Sequence, residues 1–434
     1  DATYKRYVRH LVSIANNFRQ LPFEQWYTIE VYSELLHATG DELVALLLDG
    51  SGSVGVDDEL LALAGDFSWN TMRYLNHRPA ALFEDLDGER RSVRLRWFEL
   101  GLLAWETQEN PSRKGVTLNG LAAIWDDLGE KAKARFYYEK ALTAIQSTQH
   151  QQSHAMILHN LGRNAEDVGN LKAARQYFQH SLAISEAISD QQSQALTLNS
   201  IGQVLQRIGN SRQALEIYRQ SLELSRSVDD RVGEASALNN LGLVLRTLGD
   251  SPNALSHYKY ALQITQEVGD QRGEAITLSN IGYARLAEGK SDDALGLFYK
   301  SLSLSQKIRD ISAQAKALHA IANALIEVGR VDDALDSYEQ ALAIFRQVGD
   351  PFGQANTLNN MTRIKFEAGE EQLALQYSQD ALRLFRETDA LPHIAAQLFN
   401  MAGLLFEMGE IQAAINKAEQ ALTVIQQYEL EYLP

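Results

Sequence analysis

The chain contains no cysteine among its 434 residues. This absence excludes disulfide bonds, zinc sites with thiolate ligands and thiol nucleophiles. Proline is scarce, with only 7 residues, whereas glycine is moderate at 28. That balance is typical of long helices broken by short turns. A chain without cysteine fits a reducing compartment, and we predict a cytoplasmic location.

Long apolar runs are also missing. No stretch approaches the ~18 residues that a membrane-spanning helix needs, and no signal peptide is visible. The chain begins at Asp1 rather than methionine, so we expect a processed protein or a piece of a longer one. The formal net charge of −16 repels phosphate backbones and anionic lipids. We therefore predict neither a nucleic-acid partner nor a membrane partner.

A 40-residue repeat runs through the last three quarters of the chain. An alanine follows each repeat glycine after five residues, from Ala134 to Ala414, and a leucine follows each alanine after eight, from Leu142 to Leu422. The glycine is predicted to end a helix in the left-handed conformation, and the alanine to let a second helix approach closely. The repeat glycines are Gly129, Gly169, Gly209, Gly249, Gly289, Gly329, Gly369 and Gly409.

Each repeat is predicted to hold two amphipathic helices. In the first, apolar residues follow the i, i+3, i+4, i+7 spacing of one helical face: Leu238, Leu241, Gly242 and Leu245. The second, at 253–268, is apolar on one face as well. Neither helix can bury its face alone, so neighbouring repeats have to stack. Polar residues at the turns predict helix N-caps: Asn170, Asn210, Asp230, Asp250, Asp270 and Asp350.

This pattern resembles the tetratricopeptide repeat, through Asn240-Leu241-Gly242, Gly249, Ala254, Tyr258 and Ala261-Leu262. The usual repeat has ~34 residues and a late proline, whereas this one has 40 residues and lacks the proline. We therefore expect longer helices, as in LGN/Pins adaptors, kinesin light chains and bacterial signalling ATPases. The resemblance implies an all-α fold: a right-handed α-solenoid of eight helix pairs over residues 113–434.

Residues 1–112 lack the 40-residue register and are predicted to form an irregular helical domain. Six runs read as helices, at 4–18, 23–38, 41–48, 57–64, 69–76 and 90–108. The layout, with irregular helices before regular repeats, resembles the region that follows the nucleotide-binding module of STAND-type NTPases. That resemblance implies a domain that senses a partner or inducer. A helical cap or linker for the solenoid is the alternative, and the two are compatible.

Two glycine-containing motifs resemble nucleotide sites. Gly50-x-Gly52-x-x-Gly55 matches a dinucleotide fingerprint, but its flanks read as helices rather than as the βαβ unit that this chemistry needs. A flexible linker is the favoured interpretation. Gly289-Lys290-Ser291 resembles the end of a P-loop, yet Ala284 occupies the place of the required glycine. We interpret this segment as an ordinary turn between helices.

Other polar clusters also favour structural interpretations. His150, His154 and His159 lie close together without a carboxylate at ligand spacing, so surface or core histidines are favoured. Asp85-x-Asp87-Gly88 lacks the later ligands of a calcium loop. A basic cluster fits a solvated face or a patch for an acidic partner: Arg90, Arg91, Arg94 and Arg96. We predict no cofactor, no metal site and no enzymatic activity.

The face of the first helices opposite the packed one is the candidate binding surface. With the glycine of Asn-Leu-Gly numbered position 8, positions 2, 6, 9 and 13 share that face at 100° per residue. If the first helices line a concave groove, as the resemblance implies, asparagine amides at position 6 offer hydrogen bonds to a partner backbone. Support of neighbouring helices is the alternative role. The predicted groove residues are Asn160, Arg163, Arg207, Asn240, Leu243, Asn280, Tyr283, Asn323, Asn360, Arg363 and Asn400.

The predicted groove changes character along its length. Its early part carries Arg163 and Arg207, its middle is apolar at Leu243 and Tyr283, and its late part carries glutamates such as Glu367. A partner of matching polarity is an apolar segment flanked by charges. The favoured function is a protein-, peptide- or inducer-binding sensor domain of a STAND-type signalling protein. A freestanding scaffold that holds a peptide or protein is the alternative, and an enzyme built on the N-terminal region is the third hypothesis.

Overall fold

The computed structural model describes residues 108–432 with gaps at 147 and 389, together with residues 62, 65–66, 98–99 and 101–106. Residue 62 is helical within the predicted 57–64 helix, and residues 98–99 and 101–106 are helical within the predicted 90–108 helix. The other four predicted N-terminal helices lie outside the described residues. The glycine motif at 50–55, the acidic motif at 85–88 and the arginine cluster at 90–96 also lie outside them.

Sixteen helices, arranged as eight consecutive pairs, cover the described part of the repeat region. Pairs 1 to 4 are α1 Pro111–Asp127 and α2 Lys131–Ile145, α3 Gln151–Asp167 and α4 Leu171–Ala187, α5 Gln191–Arg207 and α6 Ser211–Ser227, and α7 Arg231–Thr247 and α8 Ser251–Val268. Pairs 5 to 8 are α9 Gln271–Ala287 and α10 Ser291–Lys307, α11 Ile311–Glu327 and α12 Val331–Val348, α13 Pro351–Glu367 and α14 Glu371–Glu387, and α15 Leu391–Glu407 and α16 Ile411–Tyr432.

The predicted all-α fold of repeated helix pairs is confirmed. The expected lengthening of the helices is seen as well, because α7 has 17 residues and α8 has 18. Two such helices with two short turns fill the 40-residue period. Among the described residues, no helix is long and apolar enough to cross a membrane.

Contacts divide the chain into two units, residues 1–161 and 162–434. The predicted domain limits at 112 and 113 remain a prediction. Within residues 162–434, each second helix packs on the first helix of the next pair, and the first helices also contact one another, α5 with α7, α7 with α9 and α9 with α11. That the first helices line a concave groove remains a prediction.

Glycines end the first helices in the predicted way. All eight repeat glycines have a positive φ, from +75° at Gly289 to +87° at Gly249. This left-handed conformation carries little penalty without a Cβ atom. All six predicted N-caps are also confirmed, since each side chain accepts a hydrogen bond from a backbone N–H of the first turn, as Asp230 does from Gly233 at 2.9 Å.

A second glycine position has a packing role. A Cβ atom on Gly242 would lie 2.6 Å from Cε1 of Tyr258, and one on Gly282 would lie 2.5 Å from Cε1 of Phe298. Both rings are fully buried in the core. The glycine of the Asn-Leu-Gly motif thus lets the aromatic ring of the second helix rest against the backbone of the first.

Candidate functional site

The position-6 asparagines join the first helices of successive pairs. Asn240 Nδ2 donates to Oδ1 of Asn199, one pair earlier, at 2.9 Å. The same hydrogen bond links Asn280 to Asn239 at 3.5 Å and Asn400 to Asn359 at 3.1 Å. In the first unit, Asn160 Nδ2 donates to Asn119 Oδ1 at 2.9 Å. These amides therefore have the supporting role weighed against binding, at least through their nitrogen atoms.

The carbonyl oxygens of the same amides stay available. Asn240 and Asn280 are half-buried and Asn400 is exposed. Among the described residues, no hydrogen bond to Oδ1 of these three side chains is found. Each amide is thus held by its nitrogen while its oxygen can accept a hydrogen bond. Support and binding are compatible roles for this position.

Asn360 belongs to a larger polar cluster in pairs 6 and 7. Its Nδ2 donates to Asn323 Oδ1 at 2.8 Å and lies 3.4 Å from Nε2 of His319. The Tyr338 hydroxyl donates to the same oxygen of Asn323. His319 Nδ1 lies 3.0 Å from Thr357 Oγ1. Two predicted residues, Asn323 and Asn360, are therefore brought together by the fold.

This cluster is uncharged at neutral pH. Burial lowers the pKa of His319 to about 4, so its imidazole stays neutral. Burial raises the pKa of Tyr283 to about 12, against the smaller lowering effect of its hydrogen bond with Asn323. The pKa of Tyr338 is raised even further, also by burial. The cluster therefore presents neutral donors and acceptors rather than charges.

Apolar side chains accompany the amides on the first helices. Leu196 and Ile276, both at position 2, are 52% and 47% exposed. Leu243 is half-buried. Tyr283 packs edge-to-face on Phe298, with ring centroids 5.0 Å apart. In the predicted apolar middle, these position-2 side chains are therefore exposed to solvent, whereas the Tyr283 ring is partly buried against Phe298.

The predicted arginines differ in their exposure and in the ion pairs and hydrogen bonds that they make within the chain. Arg163 is exposed. Arg363 is exposed and pairs with Glu367, one turn along the same helix, at 2.8 Å. Arg207 Nη1 donates to the backbone oxygen of Glu166 at 2.8 Å and lies 3.5 Å from its carboxylate. Arg207 is therefore largely engaged by its own chain.

Several residues of this surface were missed from the sequence. The position-5 asparagines Asn199, Asn239 and Asn359 accept the hydrogen bonds that hold the amides, and His319 lies at the same position. Their recurrence at the 40-residue period was an available signal. Tyr338 was not recognisable, because it lies on a second helix and reaches Asn323 only in the folded chain.

The structure also shows the positions of two motifs that were interpreted as structural, the segment at Gly289 and the histidine cluster. Gly289 has φ +75° between α9 and α10, which confirms an ordinary turn. His154 and His159 lie on α3, where His159 is buried and burial lowers the pKa of His154. Within the part of the chain that the structure describes, no three metal-ligating side chains come together.

The family model of the tetratricopeptide repeat matches three segments, residues 153–227, 233–307 and 313–387. Each segment contains two of the helix pairs described above. The chain belongs to the tetratricopeptide repeat family. Its first and last tetratricopeptide pairs lie outside the matched segments, and no curated protein matches it in sequence.

Two solved structures share this tetratricopeptide arrangement. A Rap protein complexed with competence and sporulation factor superposes with a TM-score of 0.61 at 12% identity, covering 86% of this chain and 99% of that one. The apo form of RapI superposes with a TM-score of 0.53 at 14% identity, covering 66% of this chain and 98% of that one. At these identities the likeness establishes the fold.

Proposed function

We propose that this tetratricopeptide protein binds an extended peptide, or an extended segment of a protein, on the first helices of residues 162–434. One observation carries the proposal: the Asn240, Asn280 and Asn400 amides are each anchored through Nδ2 and each keep a free Oδ1. Anchored amides lose little side-chain entropy on binding. They are suited to accept hydrogen bonds from the backbone N–H groups of a partner.

The spacing of the amides fits an extended chain. Packed helices lie about 8–10 Å apart, and the first helices of successive pairs are in contact. An extended chain rises about 3.3 Å per residue. One amide per helix pair therefore corresponds to about three residues of the partner. Ala320 interrupts the series, and Asn323 on the same helix supplies a polar group instead.

The side-chain chemistry of the partner follows from the neighbouring residues. Exposed Leu196 and Ile276 favour apolar side chains opposite the early and middle pairs. The exposed arginine Arg163 favours an acidic group at the early end. The Rap structure complexed with competence and sporulation factor supports a binding role for a solenoid of this fold.

The sensor role within a STAND-type regulator is the finer part of the proposal, and a freestanding scaffold is the alternative. Both use the same surface. A nucleotide-binding module encoded in the same parent gene would favour the sensor role, whereas its absence would favour the scaffold. Sequencing the gene on both sides of the region that encodes this chain decides between them.

The binding surface is tested by changing Asn240, Asn280 and Asn400 to alanine together. Peptides are first selected from a random phage-displayed library against the full chain, and the affinities of the selected peptides are then measured for both proteins. We expect the triple variant to bind at least about tenfold more weakly, since each hydrogen bond contributes about 0.5–1.5 kcal/mol.

A matched control separates binding from folding. Asn416→Ala removes an exposed asparagine from the second helix of pair 8 and should leave the affinity unchanged. Urea unfolding of every variant shows whether the solenoid stays folded. A folded triple variant with unchanged affinity would exclude the groove assignment.

A further inference from the structure

One turn of the solenoid is unlike its counterparts. Gly169 ends α3, and a Cβ atom added to it would overlap the backbone carbonyl of Thr388, at the end of α14. At the equivalent turns of pairs 4 to 8, a Cβ atom would meet nothing within 4 Å. The turn within pair 2 is therefore in contact with the turn between pairs 7 and 8.

Residues beside this contact are more buried than their equivalents in other pairs. Leu171 is 5% exposed, whereas Ile411, the residue at the same place in pair 8, is 50% exposed. Ile208 is 3% exposed, whereas Leu248, its equivalent in pair 4, is 47% exposed. On the opposite side, Thr388 is fully buried. Comparison with the same position in another repeat thus shows that Leu171 and Ile208 are more buried than Ile411 and Leu248.

Arg207 reaches across the same contact. Its guanidinium lies 5.6 Å from the centroid of the Phe352 ring, at the start of α13. The Phe352 ring packs edge-to-face on His393 of α15, with centroids 4.7 Å apart. Burial lowers the pKa of His393, and the nearby charge of Arg207 lowers it further. Because Glu166 holds Arg207 in place, the cation can rest against this aromatic pair.

The contact joins elements that are four or five helix pairs apart. We call it the seam, formed by Gly169 and Arg207 on one side and by Phe352 and Thr388 on the other. Both sides belong to residues 162–434. A stack whose distant pairs touch has completed a turn of its superhelix. The main contacts between the described helices are within a pair or between neighbouring pairs, as in solenoids generally.

We propose that the seam is a latch that holds this turn of the solenoid closed around its inner face. Small rotations shared among the interfaces of pairs 2 to 8 suffice to open it, because each interface contributes to the curvature. If the proposed binding function holds, a partner reaches the first helices along the superhelix axis or through the opened seam. The closure itself does not depend on a partner.

The latch is tested by distance measurement on the full chain without any ligand. The chain has no cysteine, so Gln176→Cys and Gln376→Cys introduce one spin label each on exposed faces of α4 and α14. Pulsed electron resonance should give one narrow distance distribution. Adding Gly169→Ala should broaden it and shift it to longer distances, because the new methyl group displaces Thr388.

Gly249→Ala is the matched control. It places alanine at φ +87°, compared with +83° at Gly169, but meets nothing nearby. Both substitutions carry the same backbone strain, so only the seam distinguishes them. We expect Gly249→Ala to leave the distance distribution unchanged. Equal distributions for the two folded variants would overturn the proposal.

A second pair of variants covers the case in which Gly169→Ala does not fold. Arg207→Gln removes the cation at Phe352, whereas Arg363→Gln removes an arginine from an exposed helix surface. Only Arg207→Gln should lengthen the distances, and no change with it would equally contradict the latch. Since no peptide is present, a failure here is distinct from a failure of the binding experiment.

Discussion

Gly202 lies directly against the ring of Tyr218, so that a Cβ atom on the glycine would be 2.5 Å from Cε1 of the tyrosine. The ring is fully buried and its hydroxyl donates to Gln206 at 3.2 Å. The two helices of the pair are therefore held at a distance that the missing side chain allows. The repeat glycine at position 8 serves this close approach in pairs 2 to 5.

Gly202→Ala should destabilise the protein by about 1–3 kcal/mol, because an extra methyl group in a filled core forces side chains and backbone apart. Urea unfolding followed by circular dichroism measures the change. Gly296→Ala is the control, since Gly296 is an exposed glycine of α10 with nothing within 4 Å of a Cβ atom. It should stabilise by up to about 1 kcal/mol through helix propensity. Similar effects of both substitutions would contradict the close-packing role.

The protein should become less stable as the pH is lowered, because the pKa of His319 is depressed in the folded state. Its pKa is about 4 in the folded protein and 6.5 in the unfolded chain. Between these values the unfolded state binds more protons, so folding is favoured above about pH 6.5 and loses stability as the pH falls towards 4. The loss is at most about 3 kcal/mol and is complete below the folded pKa.

His319→Gln isolates that contribution from the other titrating groups. The difference in unfolding free energy between the natural protein and this variant is measured in urea from pH 7.5 down to about pH 4. We expect the difference to be constant at the upper end and to shift against the natural protein as the pH drops. A difference that does not change with pH would show that His319 titrates normally.

Helix capping offers a local test of the turns. The Asp350 side chain accepts a hydrogen bond from the Gly353 N–H at 2.8 Å, and Asp350→Ala should destabilise by about 1 kcal/mol. At the same place before α10, Lys290 makes no capping hydrogen bond. Lys290→Asn should therefore stabilise by about 0.5–1 kcal/mol. If both substitutions are neutral in urea unfolding, the caps contribute nothing.

Much of the fold was predictable because its signals are local. Each repeat glycine needs only its own backbone conformation to end a helix, and each N-cap such as Asp230 bonds three residues ahead. The candidate site was less accessible. Position 6 was identified from helical periodicity, but the bonds from Asn240 to Asn199 and from Tyr338 to Asn323 link helices that sequence spacing alone does not orient.

The sequence by itself determined eight helix pairs, their turns and the face that each first helix packs inward, since these follow from φ angles, caps and a 3.6-residue period. Only the tertiary structure decided which residues at equivalent positions of the repeat differ in burial. Leu171 and Ile411 occupy the same place in their repeats, yet one is buried and the other exposed. Gly169, two residues before Leu171, meets Thr388 five pairs away, and a contact between such distant pairs depends on curvature accumulated over every interface in between.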